Sequence, residues 1–128
     1  MYLRNMDIVG NRAVGLGNVF VTDVVIHAGI TALGDVRGSG VLLMGHGIDA
    51  GNIILSDVHG AVIGGDAPGA LYSEGKLVLT NSDITGNGVR EGYPDIISEQ
   101  RPVLIRTRCG RSERESEPGV TWGVCSDD

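Results

Sequence analysis

The stretch LVLTNSDITGN, residues Leu77–Asn87, decides the fold. It opens with a short aliphatic run whose alternate side chains would face opposite sides of a strand. Asn81, Ser82 and Asp83 follow, residue types that turn the chain by hydrogen-bonding their own backbone. Ile84 then returns an aliphatic side chain, ahead of Gly86-Asn87. The apolar run is too short for a helix, and glycine flanks the segment at Gly75 and Gly86.

Working outward, the same signature recurs. MDIVG (Met6–Gly10), GDVRG (Gly34–Gly38), SDVHG (Ser56–Gly60) and SDITG (Ser82–Gly86) share Asp, an aliphatic residue, any residue, then Gly. The intervals from Asp7 to Asp35, on to Asp57 and on to Asp83 are 28, 22 and 26 in turn. A second element, IHAG (Ile26–Gly29), IDAG (Ile48–Gly51) and YSEG (Tyr72–Gly75), places a glycine six, six and eight residues before the last three aspartates. Two features keeping step at such a period predict a repeating array. The Leu/Asn scaffold of leucine-rich repeats is absent, and helical repeats fail on the short, Gly-broken runs. Stacked β-coils remain. Asn52–Leu55 and Leu77–Asn81 read as strands, with Ile53 and Leu55 aligned to Leu79 and Asn81 and to Thr31 and Leu33. Val36, Val58 and Ile84 re-enter the core after the turn. Val41–Met44 and Ala61–Ile63 read as second short strands.

Composition agrees. The 128 residues suit one domain, and 41% are hydrophobic, yet only 4% are aromatic, so the core must be aliphatic. Glycine, at 21 residues, is more than twice as common as usual. Charges thicken after Val89, which divides the chain into coils (1–89) and a polar C-terminal cap (90–128). A net charge of −6 argues against a nucleic-acid groove or docking on anionic lipid. No apolar run approaches the roughly 20 residues of a membrane span. MYLRNMD has no signal-peptide pattern. Cys109 and Cys125 bracket a polar loop with no CxxC motif and no nearby histidine. A structural disulfide is the preferred reading, two free thiols the alternative. Closing such a loop contributes about 3 kcal/mol and implies an oxidising compartment, hence a secreted protein.

LVLTNSDITGN resembles the repeat of right-handed parallel β-helix proteins, the pectate-lyase-like superfamily. Asn5 and Asn81 fall where that family stacks an asparagine ladder; Leu33 and Leu55 depart from it. CGRS (Cys109–Ser112), with TWGVC (Thr121–Cys125) and Asp-Asp, resembles the C-terminal cap of bacterial secreted β-helix proteins. The expectation is an all-β chain: a right-handed parallel β-helix of about four coils, closed by a disulfide-pinned cap. A left-handed β-helix is the alternative, although only two or three of its hexads can be strung together.

Three columns could carry chemistry. Asp7, Asp35, Asp57 and Asp83 would stack at one corner about 4.8 Å apart. Each would cap its own turn, or Asp35, Asp57 and Asp83 would hold Ca²⁺. His27, Asp49 and Glu74 (or Ser73) would occupy equivalent places in successive coils, an acid/base strip suited to a polysaccharide lyase or glycoside hydrolase. Arg37, His59 and Thr85 would follow the Asp column, while His46 reads as a loop residue. No GxSxG, Walker, GxGxxG or HExxH motif is present. Two functions follow: a non-catalytic extracellular module presenting a rigid face to glycan or to another protein, or a polysaccharide-acting enzyme using His27, Asp49 and Glu74. The first coil begins almost at Met1, so either the chain is cut from a longer β-helix or that end pairs with a partner, most simply a second copy.

Overall fold

Alternating aliphatic residues write strands along nearly the whole chain. Val19, Val21, Val24 and Ile26 are all buried, with Phe20, Thr22 and Val25 on the other side. A computed structural model describes residues 1–10, 13–45, 47–60, 71–85 and 94–128. These hold β1 (Tyr2–Ile8), β2 (Ala13–Gly15), β3 (Val19–Ile26), β4 (Ile30–Leu43), β5 (Ile48–Gly60), β6 (Leu71–Ser73), β7 (Leu77–Thr80), β8 (Ile96–Ser98), β9 (Val103–Ile105) and β10 (Ser112–Arg114). The protein is all-β: the described residues contain no helix, and every pairing between these strands is parallel, in one sheet.

The register sets the repeat. Tyr2 pairs with Phe20, Val19 with Val36 and Val41 with Val58. Hydrogen bonds at the corner keep this step: Asn18 meets Asp35, and Asp35 meets Asn52, at a separation of 17 in each case. The separation lengthens later, to 24 between Asn52 and Lys76 and to 25 between Asn81 and Arg106. Ile53 accordingly pairs with Leu77, and Val78 with Val103. The spacing of 22 to 28 read from the Asp motifs is therefore not the repeat. Those motifs belong to different corners, and the true sequence period is Gly17-Asn18-Val19, Gly34-Asp35-Val36, Gly51-Asn52-Ile53. Ile53 and Leu55 are buried as expected but pair with Leu77 and Leu79, two residues earlier than predicted. Leu33, expected inside, is 72% exposed. Val36, Val58 and Ile84 are fully buried.

Two corner columns explain the turns. One runs through Asn5, Asp23, Gly40, Asp57, Asn81 and Arg106, with φ of 47°, 51°, 70°, 52°, 50° and 46°. Six successive passes of the described chain, rather than four, thus bend at one place in the left-handed region. Asn, Asp and Gly tolerate that region best, which accounts for five of the six residues. Asn5 and Asn81 do share this column, on the exposed outside of the bend. The other corner pairs a glycine with an Asx or Lys residue: Gly17-Asn18, Gly34-Asp35, Gly51-Asn52, Gly75-Lys76. Asn18 Oδ1 accepts from the Asp35 N–H at 2.9 Å, Asn52 Nδ2 donates to Asp35 Oδ1 at 2.8 Å, and Asn52 Oδ1 accepts from the Lys76 N–H at 2.7 Å. A Cβ at Gly34 or Gly75 would strike the amide oxygen of Asn18 or Asn52, so glycine is required there by contact.

Inside, the columns change character along the stack. Ala32 and Ala50 are followed by Ser73 and Ser98, and Val24, Val41 and Val58 by Ser82 and Thr107. The buried hydroxyls are satisfied: Ser73 donates to the Lys76 carbonyl at 2.8 Å, Ser82 to Thr80 at 2.9 Å and Ser98 to Gln100 at 2.7 Å. The division at Val89 lies outside the described residues. Beyond it, β8, β9 and β10 continue the same sheet. The last layer is closed by the Cys109–Cys125 disulfide and by an antiparallel bridge from Thr121 to Glu113. Asp128 binds the Ser112 N–H at 2.7 Å and the Ser112 hydroxyl at 2.5 Å.

Candidate functional site

Side chains that alternate with the buried ones form the outer faces, and shallow grooves interrupt them; two are lined by described residues. The first lies on the arm before the left-handed corner. Tyr2 pairs with Phe20, and Phe20 with Arg37, so the three stack in one outward column; Arg4 and Thr22 form the next. The Tyr2 and Phe20 rings are 5.0 Å apart and inclined by 18°, a stacked platform. The Arg4 guanidinium lies 6.0 Å from the Tyr2 ring centre and has no carboxylate partner among the described residues. Arg37 forks onto Asp35 Oδ2 with Nε at 2.9 Å and Nη2 at 2.7 Å. Hydrogen bonds from Asn52, then from Arg37, hold the Asp35 carboxyl below its usual range. The groove encloses about 240 Å³.

The second groove, of about 390 Å³, lies at and beyond the same corner. Asp23 and Asp57 lie one layer above and one below Gly40, the Asp23 carboxylate lies where a Cβ on Gly40 would stand, and His59 stands beside Val25 and Leu42 on the outer face. Among the described residues none of the Asp23, Asp57 and His59 side chains has a hydrogen-bond partner. This is a histidine with two carboxylates around an apolar floor of valine and leucine.

The expected site residues are distributed differently. Asp35 sits at the Gly-Asx corner opposite Asn52; Asp57 sits at the left-handed corner; Asp83 bridges His59 and Arg108, two positions past that corner. These are three columns, because the layer step is first 17 and then 24, while the aspartates are spaced at 22 and 26. No three His, Cys, Asp or Glu side chains among the described residues gather around a possible cation. Asp83 instead caps its own turn, accepting from the Thr85 N–H at 3.1 Å and hydroxyl at 2.7 Å, and pairs with Arg108. The Thr85 and Arg108 hydrogen bonds pull its carboxyl down to about 2.

His27, Asp49 and Glu74 do not form a strip either. His27 follows Ile26, whose partner is Leu43, whereas Asp49 lies between Thr31 and Tyr72. Glu74 is two residues past Tyr72, at the next corner. Arg37, His59 and Thr85 are likewise in separate columns. His46 lies outside the described residues.

Asp49 and Glu74 both lie near Tyr72, Asp49 as its strand partner and Glu74 two residues on. The Tyr72 hydroxyl donates to Glu115, and this bond, burial and the charges of Glu115, Asp49 and Glu74 push its pKa up to about 12. Glu74, Glu99 and Glu115 stack on one edge, their N–H groups donating to the carbonyls of Ala50, Ser73 and Ser98. A shared hydrogen bond with Glu115 raises the Glu99 pKa. The sequence reading missed the Tyr2–Phe20 platform and the Asp23/Asp57/His59 groove. The separation of Tyr2 from Phe20 equals that of Asn5 from Asp23, and this is the signal that finds both. Comparison with family models, curated proteins and solved structures finds no match for this chain.

Proposed function

We propose that this chain is a right-handed parallel β-helix module, extracellular and non-catalytic, that presents a rigid outer face to a glycan. One observation carries the reading: the stacked Tyr2–Phe20 platform with Arg4 and Arg37 beside it. Sugars pack their apolar C–H faces on aromatic rings, and guanidinium groups donate several hydrogen bonds in a fixed plane. The register of parallel strands holds both ring positions, so binding orders little that is not already ordered. The β-helix assignment rests on the repeated return of the chain to pair in parallel with the preceding pass and on the resemblance of Leu77–Asn87 to the pectate-lyase-like repeat. The extracellular assignment rests on the disulfide. Titration calorimetry against a panel of polysaccharides tests the function. A ligand should be found whose affinity falls at least tenfold in Tyr2→Ala and in Arg37→Ala. A panel without a ligand, or a ligand indifferent to both changes, overturns the reading.

A second reading, a polysaccharide lyase or glycoside hydrolase, is favoured by the groove that His59 lines together with Asp57 of its own layer and Asp23 two layers away. A histidine and a carboxylate facing one groove suit proton transfer to and from a sugar. Release of reducing ends or unsaturated products from the same panel, with and without Ca²⁺, abolished in His59→Ala, would establish it in place of the module.

A further inference from the structure

The outward column of Tyr2, Phe20 and Arg37 continues past the aromatic platform. Arg37 pairs with Ile54, Ile54 with Val78 and Val78 with Val103. A second outward column runs beside it, two residues on in each strand: Arg4, Thr22, Ser39, Ser56, Thr80 and Ile105. The middle layers, from Phe20 to Val78, have a paired strand on either side, so the stack itself fixes what they expose. There the first column is apolar except at Arg37. The second is a ladder of hydroxyls, and none of the Thr22, Ser39, Ser56 and Thr80 hydroxyls has a hydrogen-bond partner among the described residues. Steps along each column are about 4.8 Å, and the columns lie roughly 7 Å apart.

Charge sets the class of occupant. None of the chain's 16 acidic residues stands in either column. The other outward columns do carry them: Asp7 and Asp83 in one, Asp49 and Glu113 in another. Of the two arginines, Arg37 is already forked onto Asp35, and Asp23 and Asp57 border the hydroxyl ladder directly after Thr22 and Ser56. The face is therefore close to neutral. A polyanion, whether nucleic acid or polyuronate, needs a run of cations; here Arg4 alone lacks a carboxylate partner. The middle strands pair with the layers on both sides, which leaves no edge on this face for an extended peptide to join. What fits is an uncharged ligand that repeats along one axis and offers, in each unit, an apolar face and hydroxyls. Resting on the glycan-binding reading above, we infer that the ligand is an uncharged, unbranched polysaccharide of the straight, cellulose-like kind, laid across the strands along the stack. Its rings lie on Tyr2, Phe20, Ile54 and Val78, and its hydroxyls exchange hydrogen bonds with the Thr22–Ser39–Ser56–Thr80 ladder. A coiled or branched glycan leaves two straight columns after a unit or two.

Titration calorimetry with disaccharides and hexasaccharides of the cello-, manno- and xylo- series tests this, with hexagalacturonate and maltohexaose as the charged and coiled counterparts. In at least one straight, uncharged series the hexasaccharide should bind at least tenfold tighter than its disaccharide, and at least tenfold tighter than either counterpart. Ile54→Asp, two layers beyond Phe20 on the outer face, should weaken that hexasaccharide at least tenfold. Should that change prevent folding, the double variant S56A/T80A removes two rungs of the ladder and should weaken it several-fold, with an unchanged far-UV circular dichroism spectrum. A glycan weakened by Tyr2→Ala but indifferent to Ile54→Asp and to S56A/T80A occupies the platform alone: the glycan-binding reading then stands and this inference falls. Preference for hexagalacturonate or maltohexaose, with the same sensitivity to Tyr2→Ala, likewise overturns the inference and leaves the reading intact. Binding of no glycan overturns both.

Discussion

The layers before Gly60 and those after Leu71 solve one problem by different chemistry. In the early layers the chain returns quickly, from Val19 to Val36 to Ile53. The inward positions there are Val, Ile, Leu and Ala, and the Gly-Asx corner repeats without interruption. In the later layers the return is longer, from Ile53 to Leu77 and from Val78 to Val103. There hydroxyls enter the core at Ser73, Ser82, Ser98 and Ser112, and a disulfide closes the end. The regular layers are held by aliphatic contact inside and by the Asn18–Asp35–Asn52 hydrogen bonds at the corner, on top of the backbone ladder between layers. In a longer layer buried hydroxyls add to that ladder: Ser73 donates to the Lys76 and Gly51 carbonyls, which also accept from the Ile53 and Gly75 N–H groups.

The largest expected effect tests the apolar half. Ile53 is fully buried between Val36 and Leu77, so Ile53→Ala should cost roughly 4 kcal/mol in denaturant unfolding. A loss under about 1 kcal/mol would mean that this half does not depend on close packing. The covalent end comes next. Replacing Cys109 and Cys125 together by alanine should cost about 3 kcal/mol. Hydrogen exchange should then quicken first in residues 109–128 and leave Val19–Leu43 protected; uniform loss of protection would make the two regions one cooperative unit.

The left-handed corner runs through both regions and should respond alike in each. Asp57→Ala and Asn81→Ala should each cost roughly 1 kcal/mol, whereas Asp57→Gly should be close to neutral. An alanine as good as glycine would show that the corner relaxes. The smallest effect is electrostatic and confined to the later layers. The folded Asp83 carboxyl titrates near 2, below its ordinary 3.8, so its contribution is present above about pH 4 and is lost as pH falls towards 2. Being partly exposed, the pair with Arg108 should be worth at most about 1 kcal/mol. Asp83→Asn should flatten the acid limb of the stability curve by that amount; an unchanged limb would remove Asp83 from it. Asp128 should behave similarly in the cap: burial opposes its charge, but hydrogen bonds from Ser112, Cys125 and Val124 outweigh that and lower its pKa.

Strand type, the aliphatic core and the cysteine pair were legible from residue chemistry alone. Alternation marks strands wherever one face is buried, and glycine with Asn or Asp marks turns. Val36, Val58 and Ile84 were correctly read as core on that basis. The candidate sites were not legible, because a site here is a vertical column and a column depends on layer length. An error of a few residues in that length moved Asp83 from beside Asp57 to beside His59 and put Glu74 two positions past the level of Asp49. It also hid the stacking of Tyr2 on Phe20.

What the sequence determined by itself is local: which segments are extended, which side chains seek the interior, and where the backbone bends. Asn5, Asp23, Gly40, Asp57 and Asn81 are suited to a left-handed bend in isolation, since their short side chains or lack of one tolerate positive φ. Which of them lie one above another was decided only by the tertiary structure. Parallel strands can pair in any register that keeps inward residues inward, and a slip of two residues preserves that alternation. The choice falls to long-range contacts that no local pattern encodes: the Asn18–Asp35–Asn52 hydrogen bonds and the glycines against which they pack.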